Sequence, residues 1–312
     1  MRPKAIGRKP KVIGQNLLDQ AIAVLFLLGP SAHTSKLEAL FPGIPREHLK
    51  ELKRDYGCNI KNRFRWIVKT LKWTTVGAVW AMDYTKPLQV IEGRFKKILL
   101  VRDLASGCTL LTLPVPEEST DVTIQALEAL FLEHGIPLVL KCDNGSSFAA
   151  QKMQSYLNSK GVLQLFSPPR TPEYNAAVEA GIGSFKVHAH YASAKNDRPG
   201  QWTCDDIEVA KATMNYFGQP KGKSNVSPRW NFDSSEKMTI AQRLELWKNY
   251  RLKLKEVLKN KNVEKLESLK EMERRSVRRE AISSALLDLD YLRIRKRRVS
   301  PPFKKLKLAR VS

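Results

Sequence analysis

Through the middle of the chain, short blocks of alternating or continuous apolar residues are separated by segments whose apolar positions recur at helical spacing. AVWAMDYT (78–85), FKKILLVRDL (95–104) and CTLLTLPV (108–115) read as three successive strands. STDVTIQALEALFLEHG (119–135) reads as a helix capped by Ser119 or Thr120 and ended by Gly135. IPLVLKCD (136–143) predicts a buried strand, AAQKMQSYLNSKG (149–161) a helix and VLQLFSP (162–168) another strand. After the proline-rich SPPRTPEY, helices are predicted from about 175 to 194 and from WTCDD to about 217. Three neighbouring strands followed by alternating helices and strands imply an α/β domain, a mixed sheet with helices on its faces.

The flanks read differently. NLLDQAIAVLFLLG predicts a largely apolar helix, and SKLEALFPGIPREHLKELKRDYG two short helices around a Pro-Gly turn. Pro45 suits the first turn of the second of these, and Gly57 suits a stop after Tyr56. Leu49, Leu52 and Tyr56 make its apolar face, leaving Arg46, Lys50, Lys53 and Arg54 elsewhere. Two readings fit: a helix-turn-helix presenting a basic helix to DNA, or a small packing module with solvated charges. PKGKSNVSPRW has the composition of a linker. From Thr239 to about Leu289 the pattern is helical and charged. Ile240, Leu244, Trp247, Leu254 and Leu258 follow a 4-3 spacing that falters at KNKN (259–262), which suits either a short coiled coil or packing back onto the core. The expected organisation is therefore 1–72 as a basic arm and helical domain, 76–222 as the α/β core, and 230–312 as a charged helical region with a basic tail.

Charge changes this picture. Of 312 residues, 54 are Lys or Arg and 31 Asp or Glu, a formal net charge of +23. Such a balance favours a polyanionic partner, nucleic acid first and an anionic membrane surface second. The arm (Arg2, Lys4, Arg8, Lys9, Lys11) and the tail YLRIRKRRVSPPFKKLKLAR would bind phosphates. No stretch reaches the roughly 18 apolar residues of a membrane span. AIAVLFLL (21–28) lacks the cleavage site of a secretory signal and reads as a buried helix. The four cysteines (Cys58, Cys108, Cys142, Cys204) form no CxxC pair, in keeping with a reducing, cytoplasmic setting.

Three carboxylates stand out. Asp83 falls inside a half-buried strand, Asp143 ends the buried strand IPLVLKC, and Glu179 lies in the first turns of the helix after the proline-rich loop. Ligands of open α/β sheets bind at such strand ends and helix starts. Oxygen ligands from separated segments beside a basic surface suit paired divalent cations and in-line phosphoryl transfer. Taken singly, each has an ordinary structural explanation: a turn for Asp143, a salt bridge or cap for Asp83, and a solvated helix acid for Glu179. Asn175 and Lys186 share a helical face with Glu179. Gly181 and Gly183 would allow another backbone, protein or DNA, to approach closely.

Asp83 in WAMDYT, Asp143 in CDNGSSF and Glu179 in TPEYNAAVEAGIGSFK, with thirty-five residues between the last two, resemble the D-D-E triad of the retroviral-integrase-like transposases, including bacterial integrase-core transposases. The resemblance covers about 76–195 and implies a ribonuclease-H-like core. It implies a metal-dependent transposase or integrase that hydrolyses phosphodiesters at element ends and joins them to target DNA. Asp83, Asp143 and Glu179 would hold two Mg²⁺ or Mn²⁺ ions, Lys186 would contact DNA phosphate with Asn175 and Asn144 also meeting DNA, and Asn144 and Gly145 would shape the turn aiming Asp143. It also implies a double-stranded DNA partner, a homo-oligomer assembled on that DNA, no membrane, and a bacterial cytoplasmic or nucleoid location. In that context Arg46, Lys50, Lys53 and Arg54 become the DNA-facing residues of a zinc-free helix-turn-helix. The chain departs from the family at Ala176, Ala180 and Ile182, where glycine, arginine and a polar residue are usual. Alternatives are a catalytically inactive DNA-binding protein of the same fold and a structure-specific nuclease.

Overall fold

The computed structural model describes residues 13–29, 32–63, 66–168, 172–218 and 226–299, and the side chains of these except 60–69, 172–176 and 296–299. The basic arm, part of the proline-rich stretch, the middle of the linker and the tail beyond 299 lie outside the described residues. The chain divides into two compact units, with the cuts after Lys69 and after Arg295.

In the first unit α1 (Gln15–Leu28), α2 (Thr34–Leu40) and α3 (Arg46–Arg63) surround a small core of Ala21, Leu25, Ala32, Leu37, Phe41, Ile44 and Leu49. Leu52 and Tyr56 pack against it, so the apolar face of α3 is the one its spacing predicts. Gly57 does not end α3, which continues to Arg63. A glycine inside a helix costs only about 1 kcal/mol, too little to stop it alone.

The second unit is built on a five-stranded sheet. β1 (Trp66–Trp73) precedes it and pairs with β7 (Leu292–Val299) in a separate two-stranded sheet that the hydropathy pattern did not suggest. Strands β2 (Val79–Thr85), β3 (Lys97–Asp103) and β4 (Thr109–Val115) form an antiparallel meander. Helix α4 (Thr120–His134) then crosses to β5 (Val139–Cys142), which pairs with β2 in parallel. Ser119 caps α4, its Oγ accepting from the Val122 N–H, and Gly135 follows the helix at φ 85°, as expected of a glycine stop. Two short helices, α5 (Ser146–Ala149) and α6 (Gln151–Ser159), lead to β6 (Leu163–Phe166), parallel to β5. The order β4-β3-β2-β5-β6, antiparallel on one side of β2 and parallel on the other, is ribonuclease-H-like.

Alternation sorts the strands onto two faces. Trp80, Met82, Leu99, Val101, Leu140 and Cys142 meet Leu127, Leu130 and Phe131 of α4 and Met153 and Leu157 of α6. On the opposite face, β3 residues Ile98 and Leu100 pack with Phe185 and Ala189 of α7 (Pro172–Lys195) and with Ile207, Ala210 and Met214 of α8 (Cys204–Phe217). After the short α9 (Pro228–Asp233), a hairpin of α10 (Ile240–Asn260) and α11 (Glu271–Asp288) covers the rest of this face, on Val79, Ala81, Val139, Leu163 and Leu165. The region 239–288 thus packs back on the core. Its buried residues on α10 are Leu246, Tyr250 and Val257, while Ile240 and Leu244 are exposed. Of the 4-3 positions, Trp247, Leu254 and Leu258 pack partly buried against the core and only Ile240 and Leu244 stay outside, because α10 must match a sheet and a neighbouring helix, not one helical partner.

Candidate active site on the charged face of the sheet

Asp83 continues the series Val79, Ala81 on the face under α7, and Asp143 continues Val139, Lys141 on the same face. The parallel register pairs Ala81 with Lys141, so carried two residues further it sets Asp83 level with Asp143. Both lie at the carboxyl ends of adjacent strands, where chain crossings leave an open crevice. Burial pushes the Asp83 carboxyl up to about 6, and the negative charge of Asp143 adds to the effect. Two carboxylates that repel in a half-buried crevice are a site with a deficit of positive charge.

The turn that follows Asp143 is braced rather than free. Asp143 Oδ1 accepts the Gly145 N–H at 2.9 Å, and a Cβ on Gly145 would lie 3.0 Å from that oxygen. Asn144 Nδ2 donates to the Ser167 carbonyl at 2.9 Å, beyond the end of β6. Arg275 of α11 donates from Nη1 to Asn144 Oδ1 at 3.3 Å, pairs with Glu271 at 2.9 Å and lies over the Phe166 ring at 4.4 Å. Asn144, expected to shape the turn and meet DNA, spends both ends of its amide on protein partners.

Glu179 lies on α7, exposed, beside buried Val178. Its charge reaches Lys141, as does that of Asp83. Among the described residues no three His, Cys, Asp or Glu side chains are gathered closely enough to hold a metal ion. Asp83 and Asp143 suit a hard divalent cation by donor chemistry, being oxygen-only and mutually repulsive. Glu179 does not close a three-carboxylate cage with them here. Lys186 lies on the same helix, half-buried, and the side chain of Asn175 lies outside the described residues.

Two cations on this face had no place in the sequence reading. Lys141 is 1% exposed, in register between Ala81 and Leu165, and burial holds its ammonium down at about 8. Arg102 pairs with Ala81 from the other side, next to an irregularity in the β3–β4 register, and burial lowers its pKa. Its Nη1 lies 1.9 Å from where a Cβ on Gly181 would be. Gly181 therefore admits a guanidinium rather than another backbone, and Gly183 faces open space. The available signal was Lys141 itself, a lysine inside an otherwise apolar strand, since lysine is almost never fully buried without a partner. Arg102 and Arg275 gave no such signal, because their places depend on register and on the helical hairpin.

In the first unit Arg46, Lys50 and Arg54 are exposed on α3, each beside a carboxylate: Glu38 at 3.4 Å, Glu47 at 2.7 Å and Asp55 at 3.6 Å. Lys53 is partly covered on the same helix. Trp73, Trp80 and Trp202 are core residues, at most 5% exposed. Among the described residues no helix is long and apolar enough to cross a membrane.

A ribonuclease-H-like sheet with one carboxylate at the end of each of its two central parallel strands defines the class of this unit. Residues 74–172 match the family described as "Integrase core domain". Over 98 residues the chain is 34% identical to the Pro-Pol polyprotein of feline foamy virus, a stretch that is 31% of this chain and 8% of the polyprotein. The chain thus spans less than a tenth of that relative. Among solved structures it resembles the simian T-cell lymphotropic virus intasome in complex with PP2A regulatory subunit B56 gamma, at 17% identity and TM-score 0.48, covering 70% of this chain and 76% of that one. It also resembles the catalytic core of BIV integrase, at 18% identity and TM-score 0.39, covering 50% of this chain and 93% of that one. The HTLV-2 integrase catalytic core in complex with magnesium is similar at 19% identity and TM-score 0.41, covering 51% of this chain and 97% of that one.

Proposed function

We propose that this chain is a divalent-metal-dependent DNA transposase or integrase, a polynucleotidyl transferase that nicks phosphodiesters at element ends and joins the freed 3′-hydroxyls to target DNA. The observation that carries this reading is the level placement of Asp83 and Asp143 on adjacent strands within the integrase-core segment, with Asp83 raised to about 6 by burial and by its neighbour. Asp83, Asp143 and Glu179 would hold Mg²⁺ or Mn²⁺. Bound divalent cations supply positive charge for the phosphoryl transfer. The Gly145 N–H and the Asn144 brace hold the Asp143 carboxylate, so it is oriented beforehand. Lys186 and Asn175 would lie along DNA phosphates next to this site. Arg46, Lys50, Lys53 and Arg54 would bind duplex DNA from the helical unit. On this reading 1–72 binds DNA, 76–222 carries the chemistry and 230–312 adds helical support and a basic tail. Two ends must be held together for joining, so the working form is a homo-oligomer on DNA in the bacterial cytoplasm.

A second reading is a DNA-binding protein of the same fold without catalysis, which the ungathered third carboxylate supports. Incubation with duplexes from the two borders of its own gene, in Mg²⁺ or Mn²⁺, separates the two. The proposal expects nicked and joined products that disappear in Asp143→Asn while DNA binding persists. Joining by that variant at the wild-type level would overturn it. Nicking without joining would point to a structure-specific nuclease.

A further inference from the structure

We propose that Arg275 is a positioning residue that ties the α10–α11 hairpin to the turn carrying Asp143, and that it acts on the reaction through Asn144. The inference deepens the metal-dependent reading of this site and rests on it. Its basis is a run of direct contacts. Arg275 Nε donates to Glu271 Oε1 at 2.9 Å, one turn back on α11, and its guanidinium lies 4.4 Å from the centre of the Phe166 ring at the end of β6. The Arg275 side chain is only 14% exposed. With the guanidinium held from those two sides, its Nη1 donates to Asn144 Oδ1 at 3.3 Å, across 131 positions of sequence. Asn144 Nδ2 donates in turn to the Ser167 carbonyl at 2.9 Å.

These partners fix which way the amide points. A guanidinium only donates and a carbonyl only accepts, so a flipped Asn144 would set N–H against N–H and oxygen against oxygen. The turn is thereby pinned at two places, to the end of β6 and to α11. Asp143 precedes Asn144 by one peptide, and its Oδ1 accepts the Gly145 N–H from the residue after it, so the carboxylate follows the turn. α11 does not depend on this contact: buried Val277, Ala281, Ile282, Ala285 and Leu286 hold it on the core. Removing the Arg275 side chain therefore leaves the hairpin in place and frees the turn. A misplacement of about an ångström is enough to slow a reaction strongly. Lysine does not replace arginine here, because a single ammonium lacks the planar fork that meets Glu271, Asn144 and the Phe166 face together.

The test is a double-mutant cycle in the full chain, with Arg275→Ala, Asn144→Ala and the two together, and Arg275→Lys beside them. Two quantities are read: the rate of DNA joining at saturating duplex with Mn²⁺, and the hydrogen-exchange rate of the Gly145 amide, followed by NMR without metal or DNA. Arg275→Ala is expected to lower the joining rate roughly tenfold or more and to speed Gly145 exchange. The duplex concentration giving half the maximal rate should hardly change. Adding Arg275→Ala to Asn144→Ala is expected to change neither quantity further, and Arg275→Lys should behave like Arg275→Ala. Multiplying losses in the double variant, a raised duplex requirement at an unchanged maximal rate, or full rescue by lysine would each overturn the proposal. Should Arg275→Ala misfold, Arg275→Gln takes its place in the cycle. No joining by the wild type would instead remove the metal-dependent reading. The exchange rate then decides the tie between Arg275 and the turn alone, and unchanged Gly145 exchange in the variant overturns it.

Discussion

The two faces of the central sheet are made by alternate residues of the same strands, yet they follow opposite rules. Trp80, Met82, Leu140 and Cys142 close one face against α4 and α6 as an apolar layer. One residue along, Ala81, Asp83, Lys141 and Asp143 point the other way, and the strands that hold the core also carry two carboxylates and a buried lysine. The period of two is what permits this: a strand serves packing and chemistry at once without either side chain displacing the other. The comparison also says where stability is given up. The apolar face stabilises by burial, whereas the charged face holds Asp83 and Lys141 against desolvation.

The contrast can be broken from either side. The largest effect is expected on the charged face: Asp143→Asn should lower DNA joining roughly thousandfold, with the melting temperature nearly unchanged. Next, Leu140→Ala on the apolar face, where the side chain is fully buried, should cost about 2–5 kcal/mol in urea unfolding. The fraction still folded should join DNA at the normal rate.

Asp83→Asn sharpens the contrast through pH. The folded carboxyl holds its proton more tightly than the unfolded one, so wild-type stability falls as pH rises from about 4 through about 6. Asparagine removes that loss. The variant should be more stable than wild type at pH 7 by on the order of 2 kcal/mol, and the gain should vanish below pH about 4. Thermal unfolding at several pH values reads it directly. The smallest effect is expected from Asn144→Ala, which removes the hydrogen bonds to Ser167 and Arg275. About 1 kcal/mol of stability should go, together with a fall in joining rate larger than that loss explains, because Asp143 follows its turn.

The elements read from hydropathy are those whose partners lie close in sequence. The meander β2–β4, the capped α4 and the βα alternation through β6 carry period, cap and stop in their own residues. β1 and β7 do not. WIVKTLKW and LRIRKRRV become strands through each other, across more than two hundred intervening residues, and basic alternation in the second reads equally well as a solvated tail. Gly57 shows the converse limit, a local stop signal overridden by a helix that had reason to continue. At the candidate site, Asp83 and Asp143 stood out as charges within and at the end of apolar strands, and Glu179 as an acid at a helix start. Arg102 did not, because only the β2–β3 register brings it over Ala81, nor did Arg275, which reaches Asn144 only after the α10–α11 hairpin has packed.

The central claim is that the carboxylates at the ends of β2 and β5 hold divalent cations, and its most direct test is a Mn²⁺ titration of the wild-type chain beside the Asp83→Asn, Asp143→Asn double variant. The account expects saturable uptake by the wild type and none above background by the folded double variant. Equal uptake by the two proteins would contradict it.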